Sequence, residues 1–393
     1  MIRSLDYPTA AQSEVMVGFP PPAQHRVTLE NWQQPPYNRW SFLHTREVLP
    51  TARISRGPRV SDLPEVPVHG LQSLEFEGLR GRTTLATFLD ESWTDGLIAV
   101  HRGRIVAEEY RNGMQKGTRH LAMSVSKSIT SLVIGILVDR GLVRLDEAIT
   151  SYMPELAGSA YEGATIQQAL DMQVSMSWHE DYVGTEYWRL DAACGWGPAR
   201  SGAAGSLLDF MRELKPEGTH GRQTQYASPN TDLLGLVAER VSGTRFADLV
   251  TKELWQPMGA EFEADLTVDP AGSAVADGGF CVALRDFARV GQLLVESGRD
   301  IVPQAWVDEC RRGDPRAFES TSYGADLPGG SYHNQWWHFD GRTFALGIHG
   351  QMIAVDVEAQ LVVACVSSAP APTDPTVRDS QRRLVSALAR ALG

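Results

Sequence analysis

The chain has 393 residues, of which 42% are apolar and 21% are charged, and its formal net charge is -12. This length and composition are typical of a globular protein with one large core or two smaller ones, and they exclude a disordered chain. The acidic balance, with no compensating basic run, argues against nucleic acid and against an anionic membrane surface as partners.

The N-terminal 25 residues contain no apolar segment of about 7–15 residues, so they are not expected to act as a secretory signal. The longest apolar run, residues 132–138, is shorter than the roughly 20 residues that a membrane-spanning helix needs. We therefore expect a cytoplasmic protein. The four cysteines lack C-x-x-C spacing, which predicts buried, reduced thiols rather than disulfides or a zinc site. They are Cys194, Cys281, Cys310 and Cys365.

The first 75 residues contain ten of the 22 prolines and little periodicity, which predicts an irregular arm (1–75) packed on the body. Two strand-like runs around Arg102-Gly103 predict a hairpin over 96–110. Next comes MSVSKSITSLVIGILVDRG (123–141), whose apolar residues recur at i, i+3, i+4, i+7 and i+8. That spacing predicts a packed helix, with Gly141 at its C-terminal cap.

Further helices are predicted at 165–172 with Thr165 as N-cap, at 206–214, at 231–241 closed by Gly243, and at 284–298. Strands are predicted at 344–348, 352–356 and 361–367, followed by a C-terminal helix. Strands near both ends of the chain, with helices between them, predict an α+β protein. We expect a sheet domain from 76–150 and 260–393, a helical domain from 151–259, and a functional site in the cleft between them.

The polar start of the predicted helix at 123–141 contains the motif S-x-x-K, formed by Ser124 and Lys127. Residues three apart lie on one helix face, so the two side chains can form a hydrogen bond. A serine becomes a strong nucleophile when a base removes its proton. Lysine serves as that base if burial and the positive end of the helix lower its pKa. The alternative is a serine N-cap followed by a solvated lysine.

The apolar helix behind the motif and the scarcity of lysine favour the catalytic interpretation. Only four of the 36 basic residues are lysines, and arginine, unlike lysine, cannot be deprotonated in a protein. The free N–H groups at the helix N-terminus also offer an oxyanion a binding site, with the Ser124 amide as one donor. No G-x-S-x-G, H-E-x-x-H or Walker-type motif occurs, and WHEDY (178–182) lacks metal-ligand spacing. We therefore expect neither a metal nor a cofactor.

The S-x-x-K helix, QYASPNTDLLGLVAERVSG (225–243) and GIHGQMIAVD (347–356) together resemble the serine β-lactamase and penicillin-binding-protein superfamily. The resemblance implies an antiparallel sheet flanked by helices, with an inserted helical domain. Further blocks, LENWQQPPYNRW, MPELAGSAYEG and GSYHNQWW, are similar to one branch of that superfamily, the nylon-oligomer hydrolases. This similarity extends from about residue 29 to the C-terminus.

The resemblance implies that Ser124 is the acylated nucleophile and Lys127 its general base. Tyr226 would exchange a proton with the leaving group, and the amides of Ser124 and Ile348 would form the oxyanion hole. Tyr182 resembles a tyrosine that contacts the substrate amide and helps to protonate the leaving amine. Asp191 is similar to an acidic residue that favours amide substrates with a free amine.

The sequence departs from the lactamase pattern at Ser228, where lactamases usually have asparagine, and in one further segment. ALGI (345–348) replaces the lysine-containing K-T-G, which removes the cation that holds a β-lactam carboxylate and counts against antibiotic hydrolysis. The roles of Asp277, His349 and Cys194 are left open.

The expected function is a serine hydrolase that acts through an acyl-enzyme on short linear amides and carboxylic esters. The resemblance implies the linear 6-aminohexanoate dimer as substrate, in a cleft walled by Tyr182, Trp188 and Trp336. Two alternatives are a carboxylesterase of the same family with little or no amidase activity, and a catalytically inactive acyl-binding sensor. The sequence leaves the oligomeric state open, with a homodimer as one option.

Overall fold

The computed structural model describes residues 4–7, 14–182, 186–319 and 321–393. Within these residues the strands are β1 Thr51–Ile54, β2 Glu75–Gly78, β3 Gly81–Thr84, β4 Thr94–His101, β5 Arg104–Tyr110, β6 Arg119–Leu121, β7 Ala264–Thr267, β8 Phe280–Ala283, β9 Ser331–His333, β10 Trp336–Phe339, β11 Arg342–Gly347, β12 Gln351–Asp356 and β13 Leu361–Ser367. The α-helices are α1 Asn38–Ser41, α2 Thr45–Val48, α3 Leu85–Glu91, α4 Val125–Asp139, α5 Ile149–Tyr152, α6 Ile166–Leu170, α7 Tyr187–Ala193, α8 Leu207–Glu213, α9 Pro229–Ser242, α10 Phe246–Val250, α11 Gln256–Met258, α12 Leu284–Val295, α13 Gln304–Cys310, α14 Ser322–Asp326 and α15 Pro375–Leu392.

The largest sheet has the strand order β5-β4-β13-β12-β11-β10-β9, and every neighbouring pair is antiparallel. Its strands come from both halves of the chain, because the predicted hairpin β4–β5 pairs with β13, with Ile98 opposite Ala364. The predicted α+β class, an antiparallel sheet flanked by helices, is confirmed.

Strand β13 shows how this sheet is covered on both faces. Val362 and Ala364 pack in one apolar cluster with residues of α4 and α12, whereas Val363 and Cys365 pack in another cluster with residues of α15. Because successive side chains of a strand point to opposite faces, a strand that is buried on both faces has a continuous apolar sequence. This explains the run LVVACVS.

The helices predicted at 165–172, 206–214, 231–241 and 284–298 all form. Thr165 caps α6 by accepting a hydrogen bond from the backbone of Gln168, whose side chain accepts one from the Thr165 N–H in return. Gly243 ends α9 in the left-handed conformation, with φ of 63°, which glycine adopts without steric cost.

The N-terminal arm is more ordered than the irregular segment that its prolines predicted. It forms α1, α2 and β1, and β1 pairs with β7 in a second sheet of order β1-β7-β8-β6. It also buries Trp32 and Phe42. In a proline-rich segment, elements of four residues are too short to display a helix or strand period, so the pattern could not reveal them.

Among the described residues, no helix is both long enough and apolar enough to cross a bilayer. The four cysteines are buried free thiols, as the sequence predicted.

Candidate active site

Ser124 lies at a sharp turn between strand β6 and helix α4. The preceding residue, Met123, has a left-handed backbone with φ of 47°, which is uncommon for a residue with a side chain and is often found at functional sites. The end of β11 approaches this turn closely. A Cβ atom on Gly347 would lie 2.9 Å from the Ala122 carbonyl oxygen and 3.0 Å from the Ser124 nitrogen. Glycine therefore lets the chain bring Ile348 beside Ser124.

The Lys127 ammonium group lies within hydrogen-bond distance of three oxygen atoms. Its Nζ is 2.9 Å from Ser124 Oγ and 3.1 Å from both the backbone oxygen and Oδ2 of Asp277. The Lys127 side chain is only 1% exposed, so solvent does not screen these contacts. The structure thus places Ser124 and Lys127 together, as the helix spacing predicted, and adds a carboxylate whose role the sequence left open.

The other polar side chains at the start of α4 are also satisfied. Ser126 Oγ accepts a hydrogen bond from the Phe280 N–H at 3.2 Å, and Ser128 Oγ donates one to the Gln335 carbonyl oxygen at 2.7 Å. These bonds attach the helix N-terminus to β8 and to the turn before β10. The polar start of an otherwise apolar helix is therefore explained by buried partners.

The charge state of Lys127 depends mainly on Asp277, which is in contact with a second carboxyl group, that of Asp232. The Asp277 N–H donates to Oδ1 of Asp232 at 3.0 Å, and burial together with the Asp277 charge raises the pKa of Asp232 well above its usual value. Burial by itself lowers the pKa of Lys127, but the adjacent Asp277 carboxylate outweighs it and the net shift is upward. The sequence-based mechanism required a lowered pKa for Lys127, and this requirement is not met, because the buried lysine has an acidic partner whose effect exceeds that of burial.

Cys194, Asp232 and Asp277 place a sulfur and two carboxylates within 4.8 Å of one another, the one such group in the described residues. Lys127 contacts the same Asp277 carboxylate, and its charge opposes the binding of a metal cation there. Burial raises the pKa of the Cys194 thiol, and neighbouring carboxylates act in the same direction. Cys194 is therefore a protonated, buried thiol.

Tyr226 lies before α9, with its ring beside the serine and the lysine. Lys127 Nζ is 5.2 Å from the ring centroid, and Tyr226 and Ser124 line the same cavity. Trp337 stacks on the ring at a centroid distance of 5.5 Å. Burial raises the pKa of Tyr226, although the Lys127 charge opposes that shift. The hydroxyl therefore keeps its proton at neutral pH.

Glu180 was not among the residues predicted from the sequence. Its carboxylate accepts hydrogen bonds from the Ser228 N–H at 2.6 Å, from Ser228 Oγ at 2.9 Å, and from the Tyr182 hydroxyl. Burial raises the pKa of Glu180, and the Lys127 charge opposes this. Glu180 thus connects the segment after Tyr226 to Tyr182, a connection between distant segments that no local motif indicates.

Two cavities meet at Tyr182 and Ile348, which line both. The smaller, of about 370 Å³, also contains Ser124 and Tyr226 in its wall. The larger, of about 670 Å³, contains Asp191. Five of the six predicted site residues therefore line one cleft, and the sixth, the lysine of the S-x-x-K motif, is hydrogen-bonded to the serine from within the core.

Asp191 lies on α7 with a half-buried side chain, and it lines the larger cavity together with Gln33 of the N-terminal arm. Burial raises its pKa to about 7. A neighbouring cation favours the ionised form of such a carboxyl group. Asp191 is therefore suited to bind an ammonium ion in the larger cavity.

The tryptophans of the cleft differ from expectation. Trp188 and Trp337 line it, whereas Trp336, expected in the wall, is fully buried in the core. Adjacent residues of a strand point to opposite faces, so a Trp-Trp pair contributes one residue to each face. His349 is buried with Nδ1 2.6 Å from the Ala369 carbonyl oxygen, and burial lowers its pKa to about 4. Its ring is therefore neutral.

Comparison with known proteins identifies the family of this chain. A family model described as β-lactamase matches residues 84–388. The 6-aminohexanoate-dimer hydrolase of Paenarthrobacter ureafaciens is 36% identical over 384 residues, which cover 95% of this chain and 96% of the relative. A solved Bacillus anthracis structure, described as a candidate 6-aminohexanoate-dimer hydrolase, has a TM-score of 0.84 at 26% identity. The match covers 94% of this chain and 98% of the Bacillus anthracis chain.

A family VIII carboxylesterase shares the fold, with a TM-score of 0.59 at 16% identity. The match covers 79% of this chain and 95% of the carboxylesterase chain. The extent of the family match and of the 36%-identical relative establishes the family of the protein. The chain is a serine hydrolase of the β-lactamase family and belongs to its 6-aminohexanoate-dimer hydrolase branch.

Proposed function

We propose that this hydrolase cleaves short linear amides and short carboxylic esters through an acyl-enzyme formed on Ser124. One observation carries the proposal: the Ser124 hydroxyl is hydrogen-bonded to Lys127 Nζ at 2.9 Å, in a cavity wall that also contains Tyr226. A serine needs an acceptor for its proton before it can attack a carbonyl carbon.

That acceptor is Lys127, acting together with Asp277. Lys127 is an ammonium ion at rest, and Asp277 Oδ2 lies 3.1 Å from its Nζ. Transfer of one proton to Asp277 leaves a neutral amine, which takes the Ser124 proton as the serine oxygen bonds to the substrate carbon. Burial assists because a neutral pair loses less solvation than an ion pair in the protein interior.

The remaining steps use the groups around the serine. The backbone N–H groups of Ser124 and Ile348 stabilise the oxyanion. Tyr226 donates its proton to the leaving nitrogen as the C–N bond breaks, and the protonated pair of Lys127 and Asp277 restores it. Water then attacks the acyl-enzyme and releases the carboxylic acid. An ester follows the same path, but its leaving oxygen needs less help from Tyr226.

The linear 6-aminohexanoate dimer is the substrate we propose. Its ammonium group can pair with Asp191 in the larger cavity, while its amide lies between Tyr182 and Ser124. The Paenarthrobacter ureafaciens relative is named for hydrolysis of this dimer, which supports the proposal.

Hydrolysis assays with the linear dimer and with a chromogenic short-chain ester test this function, with Ser124→Ala as control. We expect repeated turnover of both substrates by the wild type. Ester hydrolysis without dimer hydrolysis would identify a carboxylesterase. Release of a single equivalent of chromophore, with no further turnover, would identify an acyl-binding sensor.

A further inference from the structure

We propose that Arg378 binds a carboxylate on the leaving half of the substrate, so that the cleft selects linear amides with an amine at one end and a carboxylate at the other. This inference rests on the proposed function. Arg378 lies in the first turn of α15 and lines the cavity of about 370 Å³ that contains Ser124. Among the described residues of that cavity wall, Arg378 alone has a basic side chain.

The Arg378 guanidinium group lacks a full set of acceptors. Its Nε atom is buried without a hydrogen-bond partner in the described part of the chain. The Asp379 carboxylate lies 3.6 Å from that atom, beyond hydrogen-bond distance, and the same oxygen accepts a bond from Arg382 at 3.3 Å. A buried donor without an acceptor is unfavourable, and a ligand carboxylate supplies charged acceptors.

The carboxylates in the cavity wall do not occupy Arg378. Asp374 accepts hydrogen bonds from two backbone N–H groups, at 2.8 and 2.9 Å. Glu180 accepts hydrogen bonds from the Tyr182 hydroxyl and from the Ser228 hydroxyl and N–H. The third, Asp326, is exposed to solvent. The carboxylates of the cavity wall therefore leave Arg378 with the 3.6 Å ion pair to Asp379, and a ligand carboxylate in the cavity can supply the hydrogen-bond acceptors that this pair does not provide.

The direction of the substrate follows from its chemistry. In a linear amide of two amino acids, the free amine belongs to the acyl half and the free carboxylate to the leaving half. Tyr226, which protonates the leaving nitrogen, lines the cavity of Arg378, whereas Asp191 lines the other cavity. The acyl half therefore extends towards Asp191, and the leaving half extends towards Arg378.

Two matched substrate pairs test this site. The first is a pair of linear amides whose leaving half ends in either a carboxylate or a neutral carboxamide, and the second is the corresponding pair of esters. For the wild type we expect kcat/KM to be about 5- to 50-fold higher for the carboxylate member of each pair. Arg378→Gln should bring this ratio close to one, and Arg378→Lys should retain part of it.

The ratio is measured on one enzyme preparation, so it does not depend on the fraction that is correctly folded. Arg383→Gln is the matched control, because Arg383 is exposed on the same helix and should keep the wild-type ratio. A wild-type ratio near one, or an unchanged ratio in Arg378→Gln, would overturn the proposal. If amides resist hydrolysis while the ester ratio still depends on Arg378, the carboxylate site stands and the amidase function fails.

Discussion

Lys127 Nζ lies 3.1 Å from Oδ2 of Asp277 in a site from which solvent is almost excluded. The base expected for Ser124 is therefore one half of an ion pair. The Asp277 charge raises the pKa of Lys127 by more than burial lowers it. A lysine in this state can still accept the serine proton, because an acceptor for its own proton lies within hydrogen-bond distance. The two residues form one proton-accepting unit.

Replacing Asp277 with Asn removes the negative charge and leaves burial as the main influence on the pKa of Lys127. That pKa should then fall, and only the neutral amine acts as a base. We expect ester hydrolysis by Asp277→Asn to rise with pH, by at least about 10-fold between pH 6 and 9. The wild type should show no such rise, because Lys127 transfers its proton to Asp277 within the pair and not to solvent.

The pH dependence of kcat/KM for an activated ester measures this difference. Asp232→Asn is the matched control, because Asp232 accepts a hydrogen bond from the Asp277 N–H and burial disfavours its charged form, and the variant should stay closer to the wild-type profile than Asp277→Asn. Identical profiles for the wild type and Asp277→Asn would show that Asp277 does not control the proton on Lys127.

The pKa of Asp191, about 7, makes the binding of an amine pH-dependent. Only the ionised carboxylate attracts an ammonium ion, and its ionised fraction increases as the pH rises through this value. We expect KM for an amine-terminated amide to fall about 10-fold between pH 6 and 8. KM for its N-acetylated analogue should not change in this way.

Asp191→Asn tests the same site by substitution. The variant should lose the pH dependence of KM, and its amide cleavage should fall roughly 5- to 100-fold more than its ester cleavage. Kinetics with the linear dimer and a short-chain ester measure both quantities. A parallel loss on the two substrates would contradict a role for Asp191 in binding the amine.

Tyr226→Phe removes the hydroxyl that protonates the leaving group. An amine is a poor leaving group without a proton, whereas an activated ester leaves readily. We expect the variant to lose at least about 10-fold more activity on the amide than on the activated ester. Tyr323→Phe removes a hydroxyl elsewhere in the same cavity wall and is the control. Equal losses on amide and ester would refute the assigned role.

Gly347→Ala should disturb the oxyanion site. The new Cβ would lie 2.9 Å from the Ala122 carbonyl oxygen and 3.0 Å from the Ser124 nitrogen, so β11 must move away from the nucleophile. We expect kcat to fall about 10²- to 10³-fold on esters and amides alike, with a loss of about 1–3 kcal/mol in unfolding free energy.

Ester kinetics and denaturant unfolding check both effects. Gly205→Ala is the control, because its Cβ would make only an ordinary contact of 3.6 Å with Asp209 and should leave kcat and stability close to those of the wild type. An unchanged kcat in Gly347→Ala would argue against an oxyanion hole at this position.

The most predictable parts of the fold were those with long local patterns. The helix at 123–141 has enough apolar residues to define its period, and the strand LVVACVS is an almost continuous apolar run. Both form close to the predicted boundaries. Strand β1 has four residues and is stabilised by pairing with β7, far away in the sequence. Such a strand has no local signal of its own.

The site likewise combines residues with a local sequence pattern and residues that come from distant segments. Ser124 and Lys127 were predicted from helix spacing, because both residues lie on one turn. Asp277, Glu180 and Arg378 reach the cleft from distant parts of the chain, and their roles depend on which loops meet there. Local spacing could not show this, and it could not reveal that a carboxylate would raise the pKa of Lys127.

The acyl-enzyme on Ser124 can be tested most directly by rapid-quench mass spectrometry during turnover of a chromogenic short-chain ester. The mechanism predicts a transient mass increase equal to the acyl group, located on the peptide that contains Ser124. This species should decay as turnover continues, and Ser124→Ala should show neither the adduct nor turnover. Wild-type turnover without an adduct on Ser124, or full activity in Ser124→Ala, would contradict the mechanism.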